Sequence, residues 1–188
     1  MKPGRLLLLA FALVACKSDG PVGPYRPVDE ANRNPQLAQE LTRQATEIAA
    51  NDPGEAEKEL RDALTADLFH GPAHNNLGIL LLQRGLLYEA ANEFEWARKL
   101  MPGNPEPRLN LGITLERAGH VEDALQSYRS AIEVQPGHLP STEALACLLC
   151  RSGQTSDEVR DLVRTISLQG ETEQWRSWAR TRLLQLER

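Results

Sequence analysis

The chain has 188 residues and a formal net charge of -5, with 25% charged and 41% hydrophobic residues. That length suits one domain with a short extension, and that composition is typical of a folded protein rather than a disordered one. The acidic charge and the aromatic content of only 5% argue against a nucleic-acid-binding surface, and three cysteines are too few for a disulfide scaffold.

The first 15 residues have the pattern of a signal peptide. Lys2 and Arg5 provide a short positive region, and residues 6–14 form an apolar run. A helix over that run would be only about 14 Å long, whereas the hydrocarbon core of a bilayer is roughly 30 Å thick. We therefore predict that residues 1–15 are a cleaved export signal rather than a membrane span.

The residues at the predicted cleavage point indicate a lipid anchor. The sequence Leu13-Val14-Ala15-Cys16 resembles the lipobox of bacterial lipoproteins. This resemblance implies that cleavage follows Ala15 and that Cys16 carries diacylglycerol, which would attach the protein to the membrane. Lys17, in place of the aspartate that retains lipoproteins in the inner membrane, implies the outer membrane facing the periplasm in a bacterium with two membranes. The alternative is a secretory signal that contains a cysteine by chance.

Residues 16–35, which begin with the lipidated cysteine, are predicted to form a tether. This stretch is rich in proline and glycine, at Pro21, Pro24, Pro27, Pro35, Gly20 and Gly23. Proline at this density disfavours a helix or a central strand and favours an extended, semi-rigid segment. Such a tether would hold a folded domain away from the lipid surface.

Two consecutive segments, residues 71–104 and 105–138, repeat one pattern without gaps. Positions 34 residues apart match as Leu77 and Leu111, Gly78 and Gly112, Leu81 and Leu115, Gly85 and Gly119, Ala90 and Ala124, Phe94 and Tyr128, Ala97 and Ala131, and Pro102 and Pro136. This pattern resembles the tetratricopeptide repeat (TPR), although His74 and Arg108 stand where that family has tryptophan. The resemblance implies an all-α solenoid of antiparallel helix hairpins. One hairpin cannot bury its apolar face alone, so neighbouring hairpins should stack.

Small residues are expected to bring the two helices of each hairpin together. The missing side chain of Gly78 should let the first helix approach Ala90 on the second helix, at the far side of a turn at Gly85. Phe94 should then fill the gap towards the next repeat. The second hairpin should repeat this arrangement with its equivalent residues and a turn at Gly119.

Weaker copies of the pattern flank the two clear repeats. Residues 36–70 are predicted to form a degenerate repeat, and residues 139–170 another. In the latter, Thr155 is expected to cap the second helix, and Glu158 replaces the alanine of the clear repeats. Residues 171–188 have apolar residues at helical spacing and are predicted to be a C-terminal capping helix. The prediction is therefore about four repeats and a terminal helix.

The sequence contains no recognisable catalytic motif. None of the four histidines stands at metal-ligand spacing from Cys, Asp or Glu on one helix, and there is no nucleophile elbow or phosphate-binding loop. We therefore expect a non-enzyme without cofactor, metal or small-molecule substrate. Cys147 and Cys150 form a Cys-x-x-Cys inside a predicted helix, which favours structural thiols. A disulfide or labile thiol, as in a redox-linked carrier, is the alternative.

The resemblance also implies where a partner binds, because the first helix of each TPR hairpin lines a concave groove. The groove positions here are Asn75, Ile79, Leu82, Gln83, Glu106, Leu109, Ile113, Glu116, Arg117, Glu143, Cys147, Cys150 and Arg151. They lack the lysine and asparagine with which some repeats clamp a C-terminal carboxylate. An apolar strip with polar edges suits an amphipathic helix or an extended apolar peptide. Alternatively, the C-terminal helix or neighbouring second helices cover much of this groove.

Together these features predict a non-catalytic, membrane-anchored scaffold or adaptor lipoprotein that mediates protein–protein interaction in cell-envelope assembly. Its layout looks like that of the TPR lipoproteins that assist type IV pilus secretin assembly. The alternative within the same class is a recruiting subunit for a cell-wall hydrolase or an outer-membrane assembly complex.

Overall fold

The computed structural model describes residues 33–187, so the predicted signal peptide, Cys16 and the tether up to residue 32 lie outside the described residues. The described residues form the α-helices α1 (Pro35–Ile48), α2 (Pro53–Ala66), α3 (Gly71–Gln83), α4 (Leu87–Leu100), α5 (Glu106–Arg117), α6 (Val121–Val134), α7 (Leu139–Arg151), α8 (Asp157–Gln169) and α9 (Glu173–Leu186). Successive helices pack as hairpins, α1 with α2, α3 with α4, α5 with α6 and α7 with α8, and α9 packs against α8. The described part of the chain is therefore an all-α solenoid, as the sequence predicts.

Several of these helices have a polar N-cap residue, whose side chain accepts a hydrogen bond from an otherwise unpaired backbone N–H. Asp52 accepts one from Glu55 at 3.0 Å at the start of α2. The prediction that Thr155 caps α8 is wrong by one residue. The cap is Ser156, whose extended backbone lets its hydroxyl accept from the N–H of Val159 at 3.5 Å.

Glycine permits the sharp turns inside the two clear hairpins. Gly85 has φ = 78° and Gly119 has φ = 84°, a left-handed conformation that a residue with a Cβ adopts only at a cost of roughly 1–2 kcal/mol. Both glycines lie in the turn between the paired helices, where the sequence predicts them. These turns reverse the chain so that α4 folds back on α3 and α6 on α5.

Two other glycines make room for aromatic rings. A Cβ on Gly78 would lie 2.7 Å from Cε1 of Phe94, and a Cβ on Gly112 would lie 2.4 Å from Cε1 of Tyr128. The atoms nearest to each glycine thus belong to the ring on the second helix, and not to the alanine, such as Ala90, that the sequence suggested. The missing side chain is needed because the buried ring lies flat against the first helix.

The buried apolar residues form two clusters that meet in the middle of the solenoid. One cluster is built mainly from α1 to α4, and the other from α5 to α9. Ile113 and Leu115 pack against both clusters. Because burial of each large apolar side chain contributes about 1.5–3 kcal/mol, this continuity allows every hairpin to stabilise its neighbour.

The C-terminal end is packed less closely than the middle. Glu158 does not enter the interface as alanine would. Its carboxylate instead accepts hydrogen bonds from Arg129 on α6 at 2.8 and 2.9 Å on the surface. On α9, Ala179 is fully buried, whereas Trp175 and Trp178 are half-buried and pack edge to face with their ring centroids 5.6 Å apart.

Among the helices of the described residues, none combines the length and apolar character needed to cross a bilayer.

Candidate functional site

The first helices of the hairpins lie side by side. Helix α3 contacts α1 and α5, and α5 contacts α7. These four helices form one surface, which we call the groove face. Helix α9 continues the row, because Arg182 on α9 donates a hydrogen bond to the carbonyl oxygen of Cys150 at the end of α7 at 3.0 Å.

The residues predicted to line the groove differ in accessibility. Gln83, Glu106, Arg117 and Arg151 are exposed; Asn75, Ile79, Ile113, Glu116 and Cys147 are half-buried; Leu82, Leu109, Glu143 and Cys150 are buried. The last four are therefore less accessible than their groove positions in the sequence suggest. Leu82 and Leu109 belong to the two core clusters, so they stabilise the fold rather than offer surface to a partner. Cys150 also packs in the core, but it lines a cleft between α7 and α9 as well.

The apolar surface that stays open centres on Ile79 and Ile113. These residues lie one repeat apart on the neighbouring helices α3 and α5, and both are half-buried. Gln83 and Arg117, which are exposed, border them one helical turn further along. Helix α9 packs mainly on α8 at the far end of the row, so the alternative that it covers the groove does not apply to α3 and α5.

A chain of amide side chains crosses the groove face beside this strip. Asn76 donates to the hydroxyl of Thr46 on α1 at 3.1 Å, and Asn110 on α5 donates to the side-chain oxygen of Asn75 at 3.1 Å. Asn75 in turn donates to Asn76 at 3.3 Å, so the chain is continuous from α1 to α5. Asn76 and Asn110 are not among the predicted groove residues. Both are asparagines at equivalent positions of two repeats, 34 residues apart, and this match in the sequence could have identified them.

Arginines tie the carboxyl ends of successive first helices. Arg117 donates to the carbonyl oxygen of Leu82 at the end of α3 at 2.9 Å, and Arg151 pairs with Glu116 near the end of α5. A cation at a helix C-terminus is favoured by the exposed carbonyl groups and by the helix dipole. With the bond from Arg182 described above, these contacts link α3, α5, α7 and α9 along one edge of the groove face.

A cleft of about 590 Å³ lies at the N-terminal end of the groove face, and we call it the α1–α3 cleft. Its lining residues are Ala45, Thr46, Ala49, Ala50, Pro53, Leu60, Asn76, Ile79, Leu80 and Gln83. None of these side chains is charged. The cleft can therefore take apolar groups, with amides and one hydroxyl available for hydrogen bonds.

A second cleft of about 500 Å³ lies at the other end, and we call it the α7–α9 cleft. It is lined by Cys147, Cys150, Arg151, Trp178, Thr181, Arg182 and Gln185. A smaller hollow of about 330 Å³ adjoins it through Cys147 and Trp178 and adds Gln174 and Trp175. This end of the groove face therefore combines aromatic surface with two guanidinium groups.

The two cysteines of α7 are free thiols. Burial raises the pKa of the Cys147 thiol to about 11, and the neighbouring Cys150 acts in the same direction. The thiolate is the reactive form of cysteine, so a raised pKa makes Cys147 a poor nucleophile at neutral pH. The environment of this pair therefore favours the structural role over the redox-linked carrier.

Glu143 is buried on α7 although the sequence places it in the groove. Only 7% of its surface is exposed, and its Oε1 has no hydrogen-bond partner. Burial raises the pKa of this carboxyl to about 6, and the nearby Glu171 carboxylate acts in the same direction. A buried carboxylate without full hydrogen bonding costs stability, so Glu143 is a destabilising group at neutral pH.

His74, which stands at the position of the family's tryptophan, is fully buried between α3 and α4. Its Nδ1 lies 2.6 Å from Oε2 of Glu93, and its Nε2 lies 2.8 Å from the carbonyl oxygen of Leu68. A carbonyl oxygen can only accept, so Nε2 carries a hydrogen and donates it to Leu68. The imidazole ring also stacks on the ring of Trp96, with the two ring centroids 5.6 Å apart. Because His74 and Glu93 lie on two different helices, their spacing along the chain does not reveal this pairing.

Within residues 33–187, no group of three or more His, Cys, Asp or Glu side chains is placed to hold a metal ion.

The fold and the groove face define a solenoid of the kind that serves as a protein-interaction scaffold. The tetratricopeptide repeat family model matches residues 46–105 and 88–138. These matches cover the two hairpins α3–α4 and α5–α6 in full, which therefore have the tetratricopeptide repeat pattern. A search of curated proteins gave no significant sequence match.

Solved structures show the same fold at low sequence identity. Pseudomonas aeruginosa PilF has a TM-score of 0.68 at 20% identity, over 74% of this chain and 64% of that chain. A tetratricopeptide repeat protein from Parabacteroides merdae has a TM-score of 0.67 at 19% identity, over 81% of this chain and 60% of that chain. The first TPR of Spaghetti (RPAP3) bound to the HSP90 peptide SRMEEVD has a TM-score of 0.62 at 15% identity, over 65% of this chain and 98% of that chain.

Proposed function

We propose that this protein is a non-catalytic, lipid-anchored TPR adaptor that holds a partner protein during assembly of the cell envelope. The observation that carries the proposal is the open apolar strip of the groove face, where Ile79 and Ile113 lie between polar borders. Such a strip fits the apolar side of an amphipathic helix or of an extended peptide. RPAP3 illustrates that a solenoid of this fold can bind a peptide.

The anchor in this proposal is the diacylglycerol on the Cys16 thiol, with cleavage of the signal peptide after Ala15. Two or more acyl chains hold a protein on a membrane stably, and the tether would let the solenoid reach partners in the periplasm at the outer membrane. Radiolabelled palmitate should be incorporated into the wild-type chain and not into Cys16→Ser. Equal labelling of both would remove the anchor from the proposal.

The process that we favour is type IV pilus secretin assembly, because PilF, a pilus TPR protein, has the same fold. A deletion strain should then lose secretin multimers. Intact multimers with altered septation would instead favour recruitment of a cell-wall hydrolase. Intact multimers with defective outer-membrane proteins would favour an outer-membrane assembly complex.

The groove itself is tested by the double variant Ile79→Arg and Ile113→Arg, which places two charges on the apolar strip. Partner capture by crosslinking in envelopes should be lost, while circular dichroism should show a folded chain. Tyr88→Arg is a matched control, because Tyr88 lies on α4 outside the groove face and is 79% exposed. Undiminished capture by the double variant would refute groove binding.

A further inference from the structure

The α7–α9 cleft differs from the rest of the groove face in its floor. Cys147, Cys150 and Trp178 give it an apolar base, and Trp175 extends the aromatic surface into the adjoining hollow. The two tryptophans pack edge to face, which is a favourable arrangement for aromatic rings. A preformed apolar base of this size can accept one large apolar side chain of a partner.

The rim of the cleft is cationic. Arg151 and Arg182 both line it, and among the described residues no carboxylate does. Glu116, which pairs with Arg151, lies on α5 and also accepts a hydrogen bond from Tyr128 at 2.8 Å. The Arg151 side chain is 63% exposed, so it can contact a partner without leaving this pair.

Arg182 is held in place by neutral groups. Its guanidinium donates to the carbonyl oxygen of Cys150 at 3.0 Å and to the side-chain oxygen of Gln185 at 3.0 Å. A carbonyl and an amide orient the guanidinium but do not neutralise its charge. The positive charge therefore stays available at the edge of an apolar surface, where a partner's carboxylate would be partly removed from water and attracted more strongly.

At the opposite end of the groove face, the described residues that line the α1–α3 cleft are all neutral. A partner that spans the groove face would meet apolar and amide groups at one end, and aromatic and cationic groups at the other. This asymmetry would fix the direction in which the partner lies.

We propose that the α7–α9 cleft binds an acidic segment of the partner protein in which a large apolar side chain is flanked by Asp or Glu. The proposal rests on the proposed function of the groove face as a docking surface and adds the chemistry of the partner at one end. The apolar side chain packs on Cys147 and Trp178. The flanking carboxylates pair with Arg151 and Arg182.

The test uses the full chain and two synthetic peptides of equal length with the same central phenylalanine, one flanked by glutamates and the other by lysines. Fluorescence anisotropy of labelled peptides should show binding of the glutamate peptide at least roughly tenfold tighter than of the lysine peptide. Arg151→Glu, and separately Arg151→Gln, should weaken the glutamate peptide by about the same factor. Arg164→Glu is the matched control, because Arg164 is 60% exposed on α8 and pairs with Asp161 away from the cleft.

Three outcomes would overturn the inference: no binding of the glutamate peptide up to about 1 mM, equal binding of both peptides, or unchanged affinity in the Arg151 variants. A dimer of the free chain that Arg151→Glu dissociates would assign the cleft to a second copy and would also overturn it. The proposed function and this inference can be tested independently of each other. If the Ile79 and Ile113 variant loses envelope capture while Arg151→Glu retains it, the groove function stands and the acidic-partner inference is wrong.

Discussion

Replacing Gly112 with alanine tests how closely the hairpins nest. The new Cβ would lie 2.4 Å from Cε1 and 2.6 Å from Cδ1 of Tyr128, whereas carbon atoms in contact normally stay about 3.5–4.0 Å apart. The ring would have to move by about 1 Å. It is only 1% exposed and its hydroxyl is hydrogen-bonded to Glu116, so it has little freedom to move. Overpacking costs about 1–3 kcal/mol, and the better helix propensity of alanine returns about 1 kcal/mol.

The difference of these two terms is about 0–2 kcal/mol. Because the ring has little freedom to move, we expect Gly112→Ala to lower the free energy of unfolding by an amount in the upper half of that range, about 1–2 kcal/mol, measured by urea unfolding followed by circular dichroism. Gly54→Ala is the control, because a Cβ there would meet only Oδ1 of Asp52 at an ordinary 3.5 Å on the exposed start of α2. The control should be neutral or stabilising. If both variants were equally stable, the close contact between ring and glycine would not be a real constraint on the fold.

Three further predictions concern groups on or beneath the groove face. Burial raises the pKa of Glu143 from 4.5 to about 6, so the folded chain loses stability as the pH rises through this window. Glu143→Gln should therefore add about 2 kcal/mol to the free energy of urea unfolding at pH 8, and less than half of that at pH 5. Equal gains at both pH values would contradict the raised pKa of Glu143. The raised pKa of Cys147 suppresses its thiolate, and Cys150 is buried. Iodoacetamide should therefore modify both thiols roughly tenfold more slowly in the folded chain than in urea, as followed by mass spectrometry. Rapid labelling of either cysteine in the folded chain would indicate a reactive thiol. Arg117→Ala removes the hydrogen bond to the carbonyl of Leu82 and should cost about 1 kcal/mol in urea unfolding, and no measurable cost would mean that this bond does not tie α3 to α5.

Most of the fold can be predicted from the 34-residue repeat in the sequence. Matching residues 34 positions apart predict the hairpins, and Gly85 and Gly119 predict their turns, because turn chemistry is local and needs no knowledge of the neighbours. The contact between each helical glycine and its aromatic ring could not be predicted with the same certainty. Whether Phe94 or Ala90 lies over Gly78 depends on the distance and rotation of two packed helices, which the spacing along the chain does not fix.

The candidate site was harder to predict than the fold. The spacing of the family places Leu109 and Glu143 on the groove side, but how much of each side chain stays accessible depends on how closely neighbouring helices pack, and both are buried. The pairing of His74 with Glu93 joins two different helices, so a search along one helix cannot find it. Pairs from separate elements become visible only once the elements are packed.

The most direct measurement is site-specific photocrosslinking in growing cells, because it reports which face of the solenoid touches a protein. A benzophenone side chain would replace Ile113 on the groove face or Gln126, which is exposed on the second helix α6. We predict a crosslinked adduct with a partner protein from position 113 and none from position 126. Adducts from position 126 alone, or equal yields from both, would contradict the assignment of the groove face as the docking surface.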